Sequence, residues 1–92
     1  MSNDIQPYID LIRSFLDEEI PVEVFEKRYL DMFKAEKRLL PQHLYEPLNW
    51  VFTSIDVHVP DKDRRVLKPY EMDDYHFLKD ISETYSKLLV LK

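Results

Sequence analysis

The 92-residue sequence contains no glycine. Glycine supplies the positive-φ positions of hairpin turns, bulges and phosphate loops. Without it, a hairpin-rich sheet, a dinucleotide-binding turn or a phosphate-binding loop is a poor expectation. Helices joined by short connections make no such demand, so the expected class is all-α. A hydrophobic content of 45%, with six Tyr, five Phe and one Trp, exceeds what a disordered chain carries. The chain should therefore fold, and its length suits one domain with one core over residues 1–92.

Charge and cysteine narrow the function classes. No cysteine is present, which removes a disulfide framework, a zinc ribbon and a thiol nucleophile. The N-terminal MSNDIQPYIDL has no basic segment followed by an apolar run, and no stretch approaches the ~18 apolar residues of a membrane span. The expectation is a soluble, cytoplasmic protein with no membrane partner. The formal net charge is −5. Direct nucleic-acid binding requires Lys and Arg to neutralise phosphates, so an acidic domain better suits a basic protein partner.

Apolar spacing predicts four helices. Asp4 is placed to cap the first, which reaches about Asp17 with Ile5, Tyr8, Ile9, Ile12, Phe15 and Leu16 on one stripe. Three acids, Asp17, Glu18 and Glu19, oppose continuation at a helix C-terminus. Pro21 opens a second helix to about Lys37, with Val22, Phe25, Tyr29, Met32 and Phe33 inward. Pro41 opens a third to about His58, with Leu44, Leu48, Val51, Phe52, Ile55 and Val59 inward and Trp50 off the stripe's centre. Pro47 predicts a kink or restart within it, or a separate short turn over residues 41–46. Met72 and Asp73 read as staple and N-cap of a fourth helix to about Val90, with Leu78, Ile81, Tyr85, Leu88 and Leu89 inward. Short first connections favour an antiparallel up-down four-helix bundle.

Candidate chemistry is sparse. His43, His58 and His76 form no metal pair with a second ligand on one helical face, and Asp73-x-x-His76 is a weak metal motif. Surface or interface histidines are the default reading, and no metal or cofactor is expected. Ser54 and His58 share a helical face with Asp56 between them, but lack an orienting third group and an oxyanion hole. No acid, base and nucleophile converge, so the chain is not read as an enzyme. The tyrosines are mostly core by spacing. Tyr70, between Pro69 and Glu71, is either an interface anchor or a ring tucked onto the bundle end.

The densest charge lies between Ser54 and Tyr75, which holds Asp56, Asp61, Asp63, Glu71, Asp73 and Asp74. Residues 60–72 form the longest connection, and connections of that length are disproportionately functional. Capping and the helix dipole account for Asp73 and Asp74, and turn chemistry for Asp61. Asp56 differs, because it places an anion in the last turn of its helix, against the dipole. It is either a functional carboxylate or a partner of Arg64 or Arg65.

With these pieces in order, the chain resembles the colicin D-type, self-protective colicin-like immunity proteins, including relatives from contact-dependent growth inhibition systems. The resemblance rests on YIDLIRSFLDEEIPVEVFEKRYLDMF, then LP, FTSIDVHVPDKDRR and the acidic EMDD, and spans nearly the whole chain. It implies a helical bundle that binds the C-terminal nuclease domain of a cognate toxin, a tRNA-cleaving one, and blocks its active site with an acidic surface. Carried over, that surface falls on Asp56, Asp61, Asp63, Glu71, Asp73 and Asp74, with Tyr70 as a candidate anchor beside Tyr75 and His58. Lys62, Arg64, Arg65 and Lys68 interleave with the acids, so the face is mixed in charge rather than a uniform phosphate mimic. The protein is expected to be monomeric before it meets the toxin. The competing expectation is a small helical regulatory or adaptor protein without a toxin partner, its charged connection merely solvated.

Overall fold

The computed structural model describes residues 5–59 and 71–91. They form four helices: α1 (Gln6–Leu16), α2 (Val22–Lys34), α3 (Gln42–Val57) and α4 (Asp74–Leu91). The fold is an all-α four-helix bundle. α1 packs on α2 and α4, and α3 packs on the same two, so the four helices close a ring around one core.

Proline and acid punctuate the chain as the sequence suggests, with offsets of a residue or two. Pro21 and Pro41 occupy the cap positions in extended conformation instead of opening the helices. Their carbonyls accept the first helical bonds, from the amides of Phe25 at 3.1 Å and Tyr45 at 2.9 Å. Asp4 lies outside the described residues, and Ile5 occupies the cap position of α1 without a side-chain cap bond.

α2 stops at Lys34, short of Lys37, because Glu36 and Arg38 make a local clasp instead of another turn. Arg38 donates from Nε to Glu36 Oε2 at 2.7 Å and from Nη2 to Oε1 at 2.8 Å. α3 runs as one helix from Gln42 to Val57 with Pro47 inside it, so the expected restart and the separate turn over 41–46 do not occur. Pro47 has no amide hydrogen to give the His43 carbonyl. Burial of Leu44, Leu48 and Val51 along the same face holds the run together.

The core combines Tyr8, Ile9 and Ile12 of α1, Phe25 and Tyr29 of α2, Leu48 and Val51 of α3, and Phe77, Ile81 and Leu88 of α4, all at most 1% exposed. Tyr29 donates its buried hydroxyl to the Leu48 carbonyl at 2.8 Å, tying α2 to α3. Leu11 joins the core although it lies off the expected stripe, while Phe15, Leu16, Met32, Phe33 and Phe52 are only partly buried.

α4 corrects the sequence reading most. Its inward face is Phe77, Ile81, Thr84 and Leu88, leaving Leu78 and Leu89 nearly half exposed. Spacings of four, three and four residues describe one helical face. Phe77 fixes which face is chosen by packing against Phe15 and Phe25, with centroids 6.0 and 6.4 Å away. Tyr45 and Tyr75 are also exposed rather than core, at 46% and 69%.

Candidate functional site

The ends of α1 and α3 and the starts of α2 and α4 meet at one end of the bundle. Phe15 stacks on Phe25 at 4.6 Å there, and both approach Phe77, which in turn stacks on the His58 ring at 4.2 Å and 11°. Asp74 lies beside this aromatic layer, and Asp56, Glu71 and Asp73 adjoin the ends of α3 and α4 that carry it.

The chain leaves α3 and returns to α4 through a two-bond clasp. The Val59 amide donates to the Met72 carbonyl at 2.8 Å, and the Met72 amide donates to the Val57 carbonyl at 3.0 Å, a parallel bridge between His58 and Met72. Met72 is partly buried against the core, as a staple should be. Asp73 is the N-cap of α4: its Oδ1 accepts from the His76 amide at 2.8 Å and from His76 Nδ1 at 2.7 Å. The two residues of the Asp-x-x-His pattern are thus engaged in capping, and the His76 bonds hold the Asp73 carboxyl below its ordinary range.

His58 is the hinge pin of this end. Its side chain is 1% exposed, with Nδ1 2.7 Å from Glu26 Oε2 on α2 and Nε2 2.6 Å from Asp74 Oδ1 on α4. Ionised carboxylates only accept hydrogen bonds, so both contacts are satisfied together by the doubly protonated ring. Burial disfavours that charge, but the bonds to Glu26 and Asp74 outweigh it and raise the pKa above its ordinary value. One imidazolium therefore ties α2, α3 and α4. The sequence expectation of a surface histidine, or of a partner-facing anchor at His58, gives way to a structural clamp.

Asp56 is exposed one residue before the end of α3, and no partner for it is found among the described residues. Glu71 is partly buried beside the clasp. Asp74 serves the clamp while its side chain stays 51% exposed. Of the seven expected partner-binding residues, Asp56, Glu71, Asp73 and Asp74 thus flank the two helix ends that the clasp joins. Asp61, Asp63 and Tyr70 lie outside the described residues, as do Arg64 and Arg65.

Two carboxylates escaped the sequence reading. Glu26 has no local signature, since its partner lies 32 positions away. Glu18 had one, as the middle member of the acidic run that ends α1. Its φ of 63° is left-handed, and the amides of Glu18 and Glu19 donate to the carbonyls of Phe15 at 3.0 Å and Ser14 at 2.9 Å. That pair of bonds is a Schellman terminator, whose left-handed position ordinarily holds glycine.

Among the described residues no group of three or more His, Asp or Glu is arranged to hold a metal ion. No described helix is long and apolar enough to cross a membrane. The described surface at this end carries the exposed Asp56, Asp74 and Tyr75.

A family model for bacterial self-protective colicin-like immunity matches residues 3–88. The chain belongs to that family. Membership gives the protein a role in immunity to a toxin, and a protein partner in that toxin. No curated protein and no solved structure matches the chain. In this immunity fold the clamp and clasp stand where the acidic segment enters and leaves the helices.

Proposed function

We propose that the protein, a single immunity domain, neutralises the C-terminal nuclease domain of a cognate bacterial toxin by covering its active site. A tRNA-cleaving domain fits best, because a cleft that holds a polyanionic substrate must be basic, and the surface offered to it here is acidic. The observation that carries this reading is the gathering of Asp56, Glu71, Asp73 and Asp74 around the joined ends of α3 and α4 in a member of the immunity family. The proposed surface also takes in Asp61, Asp63 and Tyr70, which stand between Val59 and Glu71 in the sequence.

Two physical effects would act in sequence. Anionic charge steers the encounter and sets orientation. Desolvated aromatic anchors then slow release, and Tyr75, 69% exposed on the first turn of α4, suits that role. His58 does not touch the toxin; it holds Asp74 in place. The protein acts as a cytoplasmic monomer until it meets the toxin, needs no cofactor, and serves either a colicin or a contact-dependent inhibition effector.

The test mixes the purified protein with the nuclease domain encoded next to its gene and follows tRNA integrity. The wild-type protein should preserve tRNA, and Asp56→Lys with Asp61→Lys should abolish protection while leaving the helical signal intact. Full protection by the double variant would remove these residues from the site. Failure of the wild-type protein to bind the neighbouring domain would overturn the reading itself.

A further inference from the structure

An open cleft of about 360 Å³ lies between α3 and α4. Trp50, the only tryptophan in the chain and 49% exposed, lines it from α3 together with Pro47, and Leu91 lines it from α4. Thr84, 3% exposed, forms the floor. Its hydroxyl makes no hydrogen bond among the described residues, although Ser14 and Ser86 bond theirs to the carbonyl four residues earlier. Ser54 is the one described residue whose side-chain oxygen is both sealed and unpaired. The Thr84 oxygen is therefore not sealed, and it opens into the cleft that Thr84 lines.

These features select an occupant. A half-exposed indole favours a second aromatic ring laid against it. An unpaired hydroxyl in a floor otherwise closed to solvent favours a group that can give and take hydrogen bonds. Charge adds no preference. The rim carries Glu46, whose Oε1 accepts from the Gln42 amide at 2.6 Å, and Lys87, one charge of each sign with no ion pair between them. His43 completes the rim with ring nitrogens that can give or take a bond. A carboxylate would meet Glu46 and a guanidinium would meet Lys87, so a neutral ring bearing a hydroxyl suits the cleft best.

We propose that this cleft receives a tyrosine side chain of the partner protein, its ring against Trp50 and its hydroxyl on Thr84. This deepens the proposed function and rests on it only for the identity of the partner. Trp50 precedes Val57, the last residue of α3, by about 10 Å of helix rise. A partner seated on the end of α3 that carries Asp56 can therefore lay a side chain along the same two helices.

The cleft can be tested without the toxin. The isotope-labelled protein is titrated with N-acetyltyrosinamide and with N-acetylphenylalaninamide, which lacks the hydroxyl, following the Trp50 indole and Thr84 methyl resonances. The tyrosine amide should give saturable shifts at low-millimolar concentration and bind about fivefold more tightly than the phenylalanine amide. In Thr84→Val the two should bind alike. That variant keeps the branched shape and removes an oxygen that bonds nothing, so the fold is kept. Non-saturable shifts, equal binding of the two amides by the wild-type protein, or an undiminished preference in Thr84→Val would overturn the cleft assignment. Tighter binding of the N-acetyl amide of arginine or of aspartate would overturn it as well, by marking a charged occupant.

A second measurement uses the neighbouring toxin domain, for which Trp50→Ala should weaken affinity about tenfold. Trp50 lies outside the core cluster, so its truncation leaves the bundle intact. Wild-type affinity in that variant would sink the cleft while leaving the proposed function standing. A wild-type protein that ignores the toxin domain but binds the tyrosine amide would support the cleft and overturn the proposed function.

Discussion

Asp56 shows what a single misplaced charge can report. An exposed carboxylate in the last turn of a helix opposes the dipole at a cost of about 0.3–1 kcal/mol. Asp56→Asn should therefore raise unfolding stability by about that amount, read by urea denaturation, while weakening toxin binding. A variant that is both more stable and equally protective would return Asp56 to ordinary surface. Ser54 makes a similar case inside the core. Its hydroxyl is buried without a hydrogen-bond partner among the described residues, so Ser54→Ala should stabilise by about 1 kcal/mol. The Ser54–His58 pairing is not formed, since both His58 ring nitrogens are taken by Glu26 and Asp74.

At the scale of elements, the chain ends its helices without glycine and accepts strain where it must. Glu18 carries the left-handed turn that stops α1. A non-glycine residue there costs roughly 1–2 kcal/mol, and glycine would give back about 0.4–1 kcal/mol of that in unfolded-state entropy. Glu18→Gly should thus stabilise by about 0.5–1 kcal/mol in thermal or chemical melts. Elements were also where the sequence was most and least legible. α1 to α3 each carry one dominant apolar stripe, and their cores follow it from Tyr8 to Ile55. α4 carries apolar residues at 77, 78, 81, 85, 88 and 89, enough for two overlapping stripes. Only tertiary contact of Phe77 with Phe15, Phe25 and His58 selects between them. The clamp was invisible for a related reason. Glu26 and Asp74 lie 32 and 16 positions from His58, and no periodicity joins a carboxylate to a histidine across three helices.

For the whole molecule, the two ends respond to opposite sides of the pH scale. His58 has a folded pKa raised above its ordinary value. Its stabilisation is complete below about pH 6.5 and fades as pH rises through the folded value. Among the described residues, Glu18, Glu26 and Asp74 are the charged groups around it. Denaturation at a series of pH values should show stability falling on the alkaline side, with the slope absent in His58→Gln. At the other end Glu36 accepts from Arg38 and from the Tyr8 hydroxyl at 2.9 Å, and these bonds hold its carboxyl down to about 2. A depressed carboxylate stabilises above its ordinary pKa and is lost as pH falls toward 2. Glu36→Gln should flatten the acid limb of the same curve by on the order of 2 kcal/mol. The site-bearing end is thus strongest in mildly acidic solution, and the Glu36 end at neutral pH and above.

The clasp between Val57, Val59 and Met72 has a consequence for how such a protein can diversify. Both exits of the intervening chain are pinned by main-chain bonds that any side chains can make. Whatever is spliced between them starts and finishes at the same place, so changes in its sequence need not disturb the four helices. Length is cheap as well, since doubling a flexible insertion costs only about 0.6 kcal/mol. The bundle is thereby a socket and the segment a replaceable cassette. New toxin specificities could be acquired by exchanging a dozen or so residues, with the clamp and the α1 terminator left as common fittings.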